Sequence, residues 1–188
     1  MKKIILCSNS PRRRELLAGL DLPFTVDTGN NFEERLEPGV EAHRVPLLLS
    51  EGKSHGFHRP LEEDEVLITS DTVVIVDGEV LGKPHSREEA VSMLRTLSDR
   101  THEVVTAVTL RDCRQEESFS VSTRVVFEPL TQQEIDHYID TYRPYDKAGA
   151  YGIQEWIGYV GISSIEGSFY NVMGFPVHQV WKELQRFL

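Results

Sequence analysis

The chain reads as a mixed α/β protein, a twisted sheet flanked by helices, and three observations predict it. An apolar run at residues 3–7 passes through a short polar turn straight into a helix start, the strand–turn–helix of an α/β layer. Asp77-Gly78 between the β-rich segments 73–76 and 79–81 is a hairpin signal, and a hairpin excludes a purely parallel sheet. Two capping boxes, Ser86-Arg87-Glu88-Glu89 and Thr131-Gln132-Gln133-Glu134, open amphipathic helices between further strands.

The elements follow in order. Residues 3–7 form a short buried strand. Ser10 caps the next helix with Pro11 at its first position, and Leu16, Leu17 and Leu20 give its apolar stripe. Asn30-Asn31 and Glu37-Pro38-Gly39 mark a polar loop. Residues 46–57 read as helix, although Gly52 and Gly56 speak against it. Residues 66–70 are β-rich and the hairpin follows. The helix after Ser86 has Ala90, Met93, Leu94 and Leu97 on one face. Strands are expected at 103–110 and 118–127, the second alternating Phe119, Val121, Thr123, Val125 and Phe127. The helix after Thr131 carries Ile135, Tyr138, Ile139 and Tyr142. A Gly-rich loop at 146–154 leads to a strand at 159–165, and the last helix carries Val177, Val180, Trp181 and Leu184.

The 188 residues, 39% of them hydrophobic, suit one domain, or at most two small lobes, and need no disulfide or metal staple. Disorder, collagen, a coiled coil and a membrane bundle are excluded. The net charge of −10 is spread evenly, with no basic face for nucleic acid, though a small anion remains a fitting ligand where a few cations converge. Cys7 and Cys113 form no CxxC and suit a reducing compartment. The apolar start stops at Ser8 before Pro11-Arg12-Arg13-Arg14, too short for a signal peptide, and no window spans a membrane. A cytosolic protein is expected.

Several familiar signatures fail. Gly52-Lys53-Ser54 has the tail of a P-loop, but Leu47 stands where the first glycine belongs and no strand precedes it. His102-Glu103 begins a zinc-protease motif that Thr106 ends. His55 and His58 lack a third ligand and read as exposed polar residues. No GxSxG or GxGxxG occurs.

Three segments concentrate chemistry. Ser8-Asn9-Ser10-Pro11-Arg12-Arg13-Arg14 sets free N–H groups, hydroxyls and arginines at a helix N-terminus, a phosphate site by construction. A merely capped helix is the bland alternative, but three cations in the first turn oppose the macrodipole. Ser70-Asp71-Thr72 puts an acid inside an apolar β-rich run, which is unfavourable unless the acid is paired or used; a turn between two strands is the alternative. Gly82-Lys83-Pro84 ends the hairpin and can return Lys83 towards Asp71. Asp146-Lys147-Ala148-Gly149-Ala150-Tyr151-Gly152-Ile153-Gln154 combines small residues with Asp, Lys and Gln, suited to close backbone approach to a ligand, or to an ordinary loop.

These residues resemble, from end to end, the Maf family of nucleoside triphosphate pyrophosphatases. The matching stretches are SNSPRRRELL, SDTVVIVDGEVLGKP with EEAVSMLRTLSDRTHEVVT, and DKAGAYGIQ before GSFYNVMGFP, in the right order and spacing. The resemblance implies a single domain over residues 1–188, an α/β fold related to inosine triphosphatases, with two lobes around a central cleft. It implies hydrolysis of a nucleoside triphosphate to monophosphate and pyrophosphate with a divalent cation, Mg²⁺ or Mn²⁺. By position, Asp71 matches the proton acceptor, with Lys53 and Lys83 beside it as catalytic cations. Ser8, Ser10, Arg12, Arg13 and Lys147 match the phosphate-handling set, and Glu34 an acidic position that joins Asp71 in holding the metal. Arg12, Thr72 and Gln154 match the dTTP/UTP branch rather than the branch acting on 7-methyl-GTP.

Small departures stand out: Asn9 where Gln or Thr is usual, Ser54 after Lys53, and Glu155-Trp156-Ile157 in place of a smaller stretch beside Gln154. The alternatives are the same chemistry on another base, or a non-catalytic nucleotide sensor in cell division and septum formation. A nucleoside triphosphate is the expected partner, a homodimer is left open, and no role is expected for nucleic acid or a membrane.

Overall fold

The computed structural model describes residues 2–35 and 38–188. Met1, Leu36 and Glu37, the last two in or beside the expected polar loop, lie outside the described residues.

The fold is mixed α/β, a seven-stranded sheet with helices, as the sequence predicts. Its strands are β1 (Lys3–Leu6), β2 (Phe24–Val26), β3 (Glu65–Val76), β4 (Glu79–Leu81), β5 (Thr101–Arg111), β6 (Glu116–Phe127) and β7 (Ile162–Glu166), in the order β2-β1-β3-β5-β6-β7, with β4 on β3. β1 pairs in parallel with β2 and β3, while β3–β4 and β6–β7 are antiparallel. The helices are α1 (Pro11–Ala18), α2 (Val45–His55), α3 (Arg87–Leu97), α4 (Gln132–Tyr142), α5 (Trp156–Gly161), α6 (Phe169–Met173) and α7 (Val177–Leu184). No helix among the described residues is long and apolar enough to cross a membrane.

The chain gathers into two compact units, each with its own core. The first comprises 1–71, 106–121 and 174–188, the second 72–105 and 122–173. In the first, strand alternation sends Ile4, Leu6, Val66 and Ile68 to one face, where they meet Leu17 of α1 and Val180 and Leu184 of α7. Ile5, Cys7 and Leu67 face the other way, with Phe57. In the second, Leu94 and Leu97 of α3, Tyr138 and Ile139 of α4, and Val125 and Phe127 of β6 form the centre.

Most local signals act as expected. Asp77 and Gly78 both take positive φ, 52° and 80°, the backbone of a tight hairpin turn that matches strand twist. Thr131 and Glu134 close a complete capping box. At α3 the Ser86 hydroxyl accepts from the Glu89 N–H, but Glu89 reaches back to the N–H of His85 rather than to that of Ser86. Cys7 and Cys113 are both free.

One alternative is excluded, one strand boundary is corrected and one strand went unread. Ser70-Asp71-Thr72 is no turn: β3 runs unbroken from Glu65 to Val76, and Asp71 sits inside it. Tyr159 and Val160 belong to α5, and the strand begins only at Ile162. Gly158 explains why, since a Cβ there would lie 1.8 Å from the Ile153 carbonyl oxygen, so only glycine lets this turn close into a helix. The short strand β2 carries no sequence signal beyond Phe24-Thr25-Val26, three residues being too few for a period.

Candidate active site

In the first unit the geometry centres on Lys53, near the end of α2. Its ammonium lies 2.6 Å from Asp71 Oδ1 and 2.8 Å from Glu34 Oε1, so one cation joins the two predicted acids. Asp71 is the more sheltered, with 14% of its side chain exposed against 56% for Glu34.

Two features hold this cation in place. Ser50 Oγ donates to the Thr69 carbonyl at 3.2 Å, and Thr69 Oγ1 donates to the Ser50 carbonyl at 2.8 Å, a reciprocal buried pair that ties α2 to β3. Lys53 follows Ser50 by one helical turn, and Asp71 follows Thr69 on the same strand face, so the hydroxyl pair sets their separation. Asn30 Nδ2 donates to the Lys53 carbonyl at 2.6 Å, and Asn30 Oδ1 accepts from the Phe32 N–H at 2.8 Å. Phe32 packs against α2 where Gly52 and Gly56 leave no side chains: a Cβ at either would sit 2.3 Å or 2.6 Å from Phe32 atoms. The glycines that argue against this helix are therefore its docking face, and through Phe32 they place Glu34.

The SNSPRRR segment builds the expected helix start. Ser10 caps α1, accepting from the Arg13 N–H, and the Ser10 N–H donates to Ser8 Oγ at 3.1 Å. Arg13 Nε donates to the Gly174 carbonyl at 2.9 Å. Burial pulls the Arg13 guanidinium below the usual arginine value, the Asp71 and Glu34 carboxylates oppose that shift, and Arg12 adds to it. The electrostatics thus join Arg12, Arg13, Glu34 and Asp71 into one cluster, and Lys53 binds both of its acids.

The second unit holds Thr72, Lys83, Lys147 and Gln154. Thr72 is half-buried in β3. Lys83 follows β4, is exposed, and has no ion pair among the described residues. The 146–154 loop is pinned by the Gly149 N–H donating to the Gly82 carbonyl at 3.0 Å. Gly149 has φ +69° and lies so close to Val74 that a Cβ would come within 2.9 Å. Lys147 is buried, its ammonium 2.8 Å from Asp146 Oδ1 and 3.2 Å from Glu155 Oε1. Gln154 lines a pocket of ≈ 390 Å³ with Tyr159, Ile162, Ile165 and Phe169, and its Oε1 is buried without a hydrogen-bond partner among the described residues.

His55 and His58 each meet a separate acid, Glu116 at 2.8 Å and Asp27 at 2.9 Å. Burial pushes the Cys7 thiol up, away from nucleophilic character. Asn30, Ser50, Thr69 and Phe32 are supports that sequence reasoning missed. Only Asn30 carried a signal, as a loop residue, because a buried hydroxyl pair leaves no pattern in a single chain.

Cations gathered at a helix start, with an acid fixed on a neighbouring strand, are an arrangement suited to phosphate chemistry. The chain belongs to the Maf-like protein family, whose sequence model matches residues 3–187. A Porphyromonas gingivalis (strain ATCC 33277) protein named dTTP/UTP pyrophosphatase is 52% identical over 187 residues, covering 98% of this chain and 94% of its own length. Proteins of the same name from Parabacteroides distasonis and Christiangramia forsetii are 47% and 42% identical, over 98% and 99% of this chain and 96% and 94% of theirs.

Proposed function

We propose that the chain is a nucleoside triphosphate pyrophosphatase that hydrolyses dTTP and UTP to the monophosphate and pyrophosphate, residues 1–188 acting as one functional domain. The observation that carries the reading is Asp71, an acid inside a β-strand, paired with Lys53 and electrostatically coupled to Arg13 in a chain of net charge −10. Relatives bearing that activity in their names, alike over nearly the whole length, support it.

In this reading Arg12 and Arg13 bind phosphate oxygens at the start of α1, with Ser8 and Ser10 shaping the turn. Asp71 orients a water for attack on the α-phosphorus and takes its proton. The phosphorus–oxygen bond to the β-phosphate breaks as pyrophosphate leaves, with Lys53 and Lys83 as catalytic cations and Lys147 as a phosphate ligand. Thr72 and Gln154 serve recognition of the nucleoside.

A divalent cation fits the acids in one way. Among the described residues no group of three or more His, Cys, Asp or Glu forms a metal cluster. Glu34 and Asp71, both on Lys53, are two carboxylates, and Mg²⁺ is commonly held by one or two carboxylates together with substrate phosphates. Such an ion would neutralise phosphate charge as Lys53 turns from the acids towards the substrate.

Product analysis tests the proposal. Incubation of dTTP with Mg²⁺ should give dTMP and pyrophosphate. Formation of dTDP and orthophosphate would overturn the site of attack.

A further inference from the structure

The deepest ionic contact of the second unit pairs Lys147 with Glu155, a residue given no role above. We infer that Glu155, held by Tyr138, is a positioning residue for Lys147 and fixes where its ammonium meets the substrate's phosphates. The inference rests on the reading of Lys147 as a phosphate ligand.

A lysine ammonium is a point charge on a flexible stem, the least directed of cations until something fixes both stem and head. Here both are fixed. The stem lies against Gly152, where a Cβ would come within 2.9 Å of Lys147 Cε. The head binds Asp146 and Glu155, and Glu155 is the more enclosed, with 20% of its side chain exposed against 54% for Asp146.

Glu155 is itself held. Its Oε2 accepts from the Tyr138 hydroxyl in a very short hydrogen bond, and that hydroxyl accepts in turn from the Gly152 N–H at 2.9 Å. Tyr138 is fully buried on α4 among core residues, so it does not move with the loop. Burial and the Glu155 carboxylate together push the Tyr138 phenol well above its usual value, so it remains a donor. The chain of contacts runs from core to α4 to Glu155 to Lys147, and returns through Gly152. One ammonium hydrogen donates to Asp146 and the charge pairs with Glu155 at 3.2 Å, which leaves donor capacity for a phosphate oxygen.

The sequence singles out the same residue. Glu155 opens the stretch Glu155-Trp156-Ile157, which departs from the family pattern beside Gln154. Structurally it is also the residue that precedes α5, where its side chain forms no cap. It serves Lys147 instead.

Steady-state kinetics on dTTP with Mg²⁺ test the proposal through Glu155→Gln, Tyr138→Phe, Lys147→Met and the double variant Glu155→Gln/Lys147→Met. Glu155→Gln should raise KM about tenfold, the order of one charged hydrogen bond, with kcat changed by less than about threefold. Tyr138→Phe should shift KM the same way by less. In the Lys147→Met background Glu155→Gln should add nothing, because a residue acting through another loses its effect when the other is gone. An equal fold-change in both backgrounds, or a wild-type KM in Glu155→Gln, overturns the proposal and leaves Lys147 as a phosphate ligand. Wild-type kcat/KM in Lys147→Met alone overturns the reading of Lys147 and the proposal with it. Melting curves accompany every variant. Should Glu155→Gln not fold, the same cycle is run with Tyr138→Phe, which deletes only a hydroxyl.

Discussion

The Phe32 ring lies across Gly52 so closely that a Cβ on the glycine would stand 2.3 Å from two ring atoms. That contact joins the segment bearing Glu34 to the helix bearing Lys53, and substitution there reaches the acid through the ring. Gly52→Ala should lower stability by about 1–2 kcal/mol, overpacking outweighing the gain in helix propensity. Urea unfolding measures it. Activity of the folded variant should fall as well, and a variant more stable than the parent would contradict the contact.

Asp71→Asn keeps the shape of the side chain and removes the base. The turnover of dTTP should drop by about 10²–10⁴-fold, while the melting temperature moves little because the pair with Lys53 is partly exposed. Nucleotide binding, followed by calorimetry, should persist. Retained turnover would move the base elsewhere.

Gln154 presents a buried Oε1 with no partner among the described residues. An amide can match the acceptor–donor edge of uracil or thymine through two hydrogen bonds, whereas cytosine exchanges the pattern. Gln154→Glu should therefore cost dTTP and UTP about 5- to 150-fold in kcat/KM, and triphosphates of bases with amino groups less. A panel of triphosphates reads this directly. Equal losses on every base would leave Gln154 a scaffold residue.

His102 gives the fold an acid limit. Its ring is buried, its Nε2 lies 2.6 Å from the Tyr151 hydroxyl, and burial holds its pKa at about 4, below the usual 6.5. Between those values the unfolded chain takes up a proton that the folded chain does not. The contribution of His102 is complete above about pH 6.5, declines as pH falls, and levels off below about 4, a loss of up to about 3 kcal/mol. Carboxylates lowered by their partners, such as Glu65 with Arg59, add losses at lower pH still. Urea midpoints from pH 7 to 5 should fall in the parent and less in His102→Gln. Parallel curves would rule the histidine out.

What could be read in the sequence follows from how each signal is written. Ser10-Pro11, Asp77-Gly78 and Thr131–Glu134 act through neighbours in the chain, so their local pattern suffices, and the helices and hairpin follow from them. The excluded turn and the shifted strand start mislead for opposite reasons. Asp71 breaks an apolar run without breaking a strand, because its charge is met by Lys53 from another element. Tyr159 and Val160 favour a strand, yet Gly158 admits a helical turn against Ile153. The resemblance added Lys53 and Glu34 to the charged residues already picked out by their segments. It could not supply Ser50, Thr69 or Tyr138, whose part depends on contacts distant in sequence.

The Ser50–Thr69 pair bears on what the site can become. It fixes the spacing of positions 53 and 71 through hydroxyls and backbone carbonyls that carry no net charge. A phosphate that draws the lysine away from the aspartate then asks for a change of rotamer and no movement of main chain. By the same logic the two positions are exchangeable fittings on a neutral mount. Other side chains set there inherit a geometry already paid for, and a scaffold evolved for one hydrolysis offers ready footing for another.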